Sequence, residues 1–155
     1  MKLIAGALAL MVCGTAALAA DPQIRLTPAD IDAMASGGPG AGTSGLAGIR
    51  VTVLSGDPGK PGLYTIRLSV PAHTRIAAHT HKDDRTAVVI SGTWYFGYGD
   101  AANDVAKKAL PPGSFYAEPG GVAHFAETRD EPVVVYITGY GPTDTVYVNP
   151  ADAPK

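Results

Sequence analysis

Three of the four histidines in this 155-residue chain fall in two short stretches, and their spacing is the first chemical signal. His79 and His81 stand at i and i+2. On an extended strand such a pair points to one face, because strand side chains alternate. On a helix it would diverge by about 200° at 3.6 residues per turn. Two imidazoles on one face are half of a site for Zn, Fe, Cu, Ni or Mn. His124 supplies a third, after the run Gly113-Ser114-Phe115-Tyr116-Ala117-Glu118-Pro119-Gly120-Gly121-Val122-Ala123. Three imidazoles can hold one divalent transition metal and leave coordination positions open, so that it can act as a Lewis acid or bind oxygen or substrate. The competing interpretation is a metal-free barrel whose histidines hydrogen-bond to each other or to tyrosines; three at this spacing favour the metal.

The elements that must position these residues are short strands. Ile49 to Leu54 alternates, Asp57-Pro58-Gly59-Lys60-Pro61-Gly62 turns, and Tyr64 to Val70 is the next strand, closed by Pro71. His79 to His81 lies on another strand and Thr86 to Ile90 on the one after. Gly92 allows a tight turn into Thr93-Trp94-Tyr95-Phe96, an aromatic strand of strong β preference. Val133 to Thr138 is a buried strand and Thr145 to Val148 an edge, while Asn103 to Lys108 forms one helical turn or an insertion loop. Roughly nine to eleven strands without a long helix predict an all-β closed or double-sheet architecture. Before them, Thr27-Pro28-Ala29-Asp30 predicts a short helix to about Ala35, with Thr at the N-cap and Pro in the first turn. The glycine-rich stretch from Ser36 to Gly45 then reads as a flexible loop; it lacks the Lys-Ser/Thr ending of a phosphate loop.

The two histidine stretches resemble the paired motifs of the cupin superfamily. The first motif runs glycine, five residues, His-x-His, three or four residues, Glu, six residues, Gly; His79, His81 and Gly92 match it. The second runs glycine, five residues, Pro-x-Gly, two residues, His, three residues, Asn; Gly113, Pro119, Gly121 and His124 match it. Three positions depart: His73 stands for the opening glycine, Arg85 for the Glu ligand and Thr128 for the final Asn. The resemblance implies a cupin-type double-stranded β-helix, a jelly-roll barrel over residues 49–150, preceded by a helix and glycine-rich loop over 21–48. It also implies His79, His81 and His124 as metal ligands and a homodimer joined through sheet edges.

The motif pattern places Arg85 inward with Ala87 and Val89. A guanidinium about 5 Å from a dication is repelled by several kcal/mol even at an effective dielectric of ~20, and arginine cannot lose its proton. It therefore needs an anion. Asp83, Asp84, Glu118 and Glu127 are at hand. Arg85 either grips a substrate carboxylate or enolate beside the metal or closes the barrel mouth as a salt bridge. Alternatively, a bulge lets Asp84 restore the carboxylate ligand. Cupins with three histidines and no glutamate resemble thiol and diketone dioxygenases with non-haem iron, which implies a dioxygenase-like oxidoreductase acting on a small anionic substrate, with Arg85 as the anchor. Cupins also include isomerases, lyases and non-catalytic sugar or metal binders, so a binding protein is the alternative. Tyr116 and Tyr136 are candidates to present hydroxyls to a ligand, whereas Phe96 and Phe115 read as core.

Composition bounds the rest. Hydrophobic residues make up 46% and charged residues 17%, a globular balance, and no basic patch suggests nucleic acid. Residues 1–20 read as a secretory signal peptide: Lys2, an apolar run from Leu3 to Leu18, and Ala17-Leu18-Ala19 as cleavage site. Val12 before Cys13 argues against lipidation. Cleavage near Ala20 would remove the single cysteine and leave no membrane anchor, which predicts a periplasmic or secreted protein.

Overall fold

A capping box starts the helix α1 (Pro28–Asp32) of the computed structural model, which describes residues 23–155. The Thr27 hydroxyl accepts from the Asp30 N–H at 3.3 Å, and the Asp30 carboxylate accepts from the Thr27 N–H at 2.7 Å. The helix stops at Asp32, short of the predicted Ala35. Five residues cannot sustain a helix alone; α1 is held by its buried Ile31 and by Arg67 Nη1, which donates to Asp32 at 2.5 Å. The predicted signal peptide lies outside the described residues. Among the described residues no helix is long and apolar enough to cross a membrane.

Ten strands follow: β1 (Arg50–Ser55), β2 (Gly62–Val70), β3 (Arg75–Thr80), β4 (Arg85–Ser91), β5 (Trp94–Tyr98), β6 (Lys108–Leu110), β7 (Phe115–Glu118), β8 (His124–Glu127), β9 (Val133–Gly141) and β10 (Val146–Tyr147). They form two antiparallel five-stranded sheets, ordered β1-β2-β9-β4-β7 and β10-β3-β8-β5-β6. This is the double-sheet arrangement that the strand pattern predicts and the jelly roll that the motif resemblance implies. Strict alternation on β2, β9 and β4 sends Ile66, Leu68, Val135, Ile137, Ala87 and Val89 inward against Ile76, Trp94, Phe96 and Ala126 of the other sheet. Each large aliphatic residue so buried contributes about 1.5–3 kcal/mol.

Two aromatic expectations are corrected. Phe115 is 64% exposed, because β7 places Tyr116 and Glu118 on the inner face and alternation sends Phe115 outward. Tyr136 sits on the outer face of β9, opposite Arg67 and away from the barrel interior. The stretch expected as a helical turn or loop is a short turn at residues 104–106, capped by Asn103, whose Oδ1 accepts from the Ala106 N–H, and Lys108 already begins β6.

His73, at the motif's opening glycine position, has φ +58 and an exposed side chain. The backbone there keeps the left-handed conformation that glycine adopts freely and other L-residues adopt at about 1–2 kcal/mol. His73→Gly is expected to raise stability by about 0.5–1 kcal/mol, after allowing for the greater entropy of glycine in the unfolded chain. Urea unfolding of the two proteins measures it; a lower midpoint for the variant would contradict the expectation.

Candidate metal centre

A bulge aims the histidines. The β3–β8 pairing slips one residue between Ile76 and His79, so Ile76 and His79 both face inward although they are an odd number apart. His79 lies directly opposite His124 across that pairing, and His81 follows just beyond the strand. All three are buried, and their ligand nitrogens lie within 4.8 Å of one another.

Backbone carbonyls set the tautomers. His79 Nδ1 donates to Ala77 O at 2.8 Å, His124 Nδ1 donates to Val122 O at 3.1 Å, and His81 Nδ1 donates to Asp144 O. A carbonyl can only accept, so each proton is on Nδ1 and each Nε2 carries a lone pair. The Nε2 atoms of His81 and His124 are buried and without a hydrogen-bond partner. Converging lone pairs with no donor among them, on rings oriented through their other nitrogen, are what a transition-metal site requires. The three histidines fit such an ion.

Arg85 is buried where the motif predicts, with Ala87 and Val89 on the inner face of β4. Its anion is Glu118: Arg85 Nε donates to Glu118 Oε2 at 2.6 Å and Nη2 to the same oxygen, while Nη1 donates to Gly42 O at 3.2 Å. The other three acids are elsewhere. Asp83 accepts from Tyr64 OH at 2.8 Å and Thr143 Oγ1 at 2.5 Å; Asp84 is exposed and accepts from the Gly120 N–H; Glu127 pairs with Lys107 at 2.6 Å. Tyr116 lines the same cavity as the histidines, its ring 4.4 Å from Phe96.

The glycine-rich stretch, expected as a flexible loop, is pinned to the barrel. Gly42, Thr43 and Ser44 are buried, and three successive carbonyls are engaged: Gly42 O by Arg85, Thr43 O by Thr145 Oγ1 at 2.7 Å and Ser44 O by Tyr147 OH at 2.6 Å. The segment crosses the barrel mouth as a strap. Beneath it the free volume beside the histidines is about 20 Å³, room for one water-sized group. Sequence reasoning missed the strap, because its partners are backbone atoms of residues with no chemical signature. It also missed Tyr64 and Thr143, which hold Asp83. Gly139, mid-strand on β9, was the available signal: a Cβ there would lie 2.6 Å from Tyr64 Oη and 2.7 Å from Asp83 Oδ2.

Electrostatics follow from burial. His79 is lowered to about 4 by burial and by neighbouring His124, and His81 to about 3 by burial and by the Arg85 charge. His124 is lowered by burial as well. Burial pushes Glu118 up, but the Arg85 charge and the surrounding hydrogen bond outweigh it and hold the carboxyl at about 2. In the unfolded chain these imidazoles take protons near pH 6.5, so between that pH and about 4 the unfolded state binds more protons. Stability of the metal-free protein is therefore expected to be full above pH 6.5 and to fall as pH drops toward 4, by roughly 1.4 kcal/mol per pH unit for each such group. Glu118 extends the loss below its ordinary value near 4.5. Urea midpoints from pH 7 to 4 check this; a flat profile would mean the imidazoles are solvated.

Solved structures share this architecture. A sugar phosphate isomerase from a cupin superfamily of Silicibacter pomeroyi is 18% identical, with TM-score 0.55, over 72% of this chain and 74% of that one. A cupin-like protein from Thermotoga maritima is 17% identical, with TM-score 0.53, over 68% and 81%. The fold is that of the cupins. A DMSP lyase structure matches this chain at 20% identity and TM-score 0.51 over 60% of the chain, which spans only 47% of the lyase. No protein-family model and no curated protein matches the sequence. At these identities the likeness establishes the barrel fold, and the chemistry follows from this chain's own residues.

Proposed function

We propose that this cupin binds one divalent transition metal through His79, His81 and His124 and handles a small molecule at the positions left open. The observation that carries the proposal is the pair of buried, unpartnered Nε2 lone pairs within the histidine triad. The ion, when bound, supplies Lewis acidity or an oxygen-binding position. The reaction class favoured is a dioxygenase-like oxidation, since three neutral imidazoles leave room for both oxygen and a substrate donor atom. Tyr116 lines the cavity, and burial holds its hydroxyl well above its ordinary value, so it stays protonated and able to donate a hydrogen bond. The lyase and the isomerase among the structural neighbours keep non-oxidative chemistry in view for the same triad.

Arg85 as an anchor for a substrate anion requires displacement of Glu118, because the internal carboxylate already occupies its fork. Entry of any substrate requires the Gly42–Ser44 strap to move, since these residues separate the inner cavity from an outer groove lined by Pro39, Asp144 and Tyr147. The enclosure favours the second reading, a non-catalytic metal or small-molecule binder. The leader at residues 1–20 supports export to the periplasm or beyond, and a homodimer is proposed through sheet edges.

Oxygen uptake by iron-loaded protein with a panel of small carboxylates and diketones separates the two readings. Substrate-dependent uptake that disappears in His124→Ala is expected. No uptake with iron, manganese, nickel or copper, alongside tight metal binding, would replace the oxidoreductase by the binding protein.

A further inference from the structure

We infer that the carboxylate ligand missing from the first motif is supplied by the neighbouring strand, with Glu118 as the fourth metal-ligating side chain and Arg85 as the residue that positions it. The inference rests on the three-histidine proposal and deepens it. Arg85 and Glu118 are Cα partners in the β4–β7 pairing, and both face inward. Exchanging a ligand between directly opposed positions moves it by one cross-strand step, about 5 Å, and keeps it on the same inner face.

Distances agree. Glu118 Oε2 lies 3.8 Å from His124 Nε2 and 3.9 Å from His81 Nε2. Metal bonds of about 2.1 Å hold neighbouring ligand atoms roughly 3.0–3.4 Å apart in octahedral or tetrahedral geometry. The carboxylate therefore needs to approach by less than about 1 Å, and rotation of its terminal torsion is soft. The same rotation lets one oxygen turn to the ion while Arg85 keeps the other.

The arrangement without a cation between these groups is poor. Both imidazoles present lone pairs, their protons being committed to Val122 O and Asp144 O, and the third group facing them is the carboxylate paired with the Arg85 guanidinium. No hydrogen bond links the carboxylate to either ring; a shared cation satisfies all three. The charge balance also requires it. A dication beside Arg85 is repelled by several kcal/mol, and a carboxylate bonded to both offsets that repulsion. The other acids are engaged elsewhere and do not line the cavity: Asp83 is held by Tyr64 and Thr143, Asp84 caps Gly120, and Glu127 holds Lys107. Among the described residues Glu118 is the one carboxylate lining the histidine cavity.

The test is zinc affinity by chelator competition and the visible spectrum of cobalt-loaded protein, for wild type and Arg85→Gln/Glu118→Gln. The double variant removes both charges together and so keeps a neutral, hydrogen-bonded pair. Expected is a loss of zinc affinity of about 100-fold or more and a changed cobalt spectrum, with Glu118 within about 2.0–2.2 Å of the ion in crystals of zinc-loaded wild type. Arg85→Gln alone, if it folds, should bind zinc at least as tightly as wild type. Binding by the double variant within threefold of wild type, with the same spectrum, would overturn the role of Glu118 and leave the three-histidine site standing. Absence of zinc and cobalt binding in the wild type would remove both.

Discussion

Arg85→Met destabilises the protein by about 3–5 kcal/mol. The Arg85–Glu118 pair is buried on both sides, with side chains 3% and 5% exposed. Removing one partner of such a pair leaves the other charge uncompensated in a low-dielectric interior, which costs far more than the pair itself contributes. The loss also frees Gly42 O, one of the three carbonyls that tie the strap over the mouth. Arg85→Met/Glu118→Met removes both charges and fills similar volume, so it is expected to recover most of the loss. Equilibrium unfolding in urea, with both variants and Glu118→Met alone, closes the double-mutant cycle. A single variant within about 1 kcal/mol of wild type would show that the charges are solvated, contrary to the structure.

His79→Ala removes the metal. Metal content by mass spectrometry, on protein prepared without a histidine tag, is expected near one ion per chain for wild type and below about a tenth in the variant. Loss of an outer-shell partner typically lowers metal affinity by 10–100-fold; loss of one of three imidazoles is expected to exceed that, at about 10³-fold. The barrel itself should survive, because His79 is not part of the apolar core cluster of Ile66, Leu68, Trp94 and Val135. Near-UV spectra and an intact unfolding transition therefore accompany the loss. Full occupancy in His79→Ala would place the ion elsewhere and end the triad assignment.

Much of the fold was legible because strand chemistry is local. Val133 to Thr138, Tyr64 to Val70 and Thr86 to Ile90 are rich in β-branched and apolar residues, and the observed strands cover them with alternating burial. The same rule failed at Phe115 and Tyr136, where the face was chosen by the neighbouring register rather than by hydrophobicity. At Phe115 the inner positions of β7 go to Tyr116 and Glu118, so a large apolar ring is left outside. The partner of Arg85 had to be an anion, which valence alone requires, but four acids qualified. Cross-strand pairing of Arg85 with Glu118 selected among them, over 33 residues of separation.

What the sequence determined by itself is therefore the set of groups: a histidine pair on one strand face, a third histidine after a glycine-rich turn, and a buried guanidinium that had to find a carboxylate. Those follow from side-chain alternation, spacing and the permanence of the arginine charge. The tertiary structure alone decided their mutual geometry. The slip of one residue in the β3–β8 pairing aims His79 at His124, the β4–β7 register delivers Glu118 to the same point, and the carbonyls of Gly42, Thr43 and Ser44 close the mouth. Register and backbone-carbonyl contacts depend on chain atoms common to every residue, so side-chain identity carries almost no record of them.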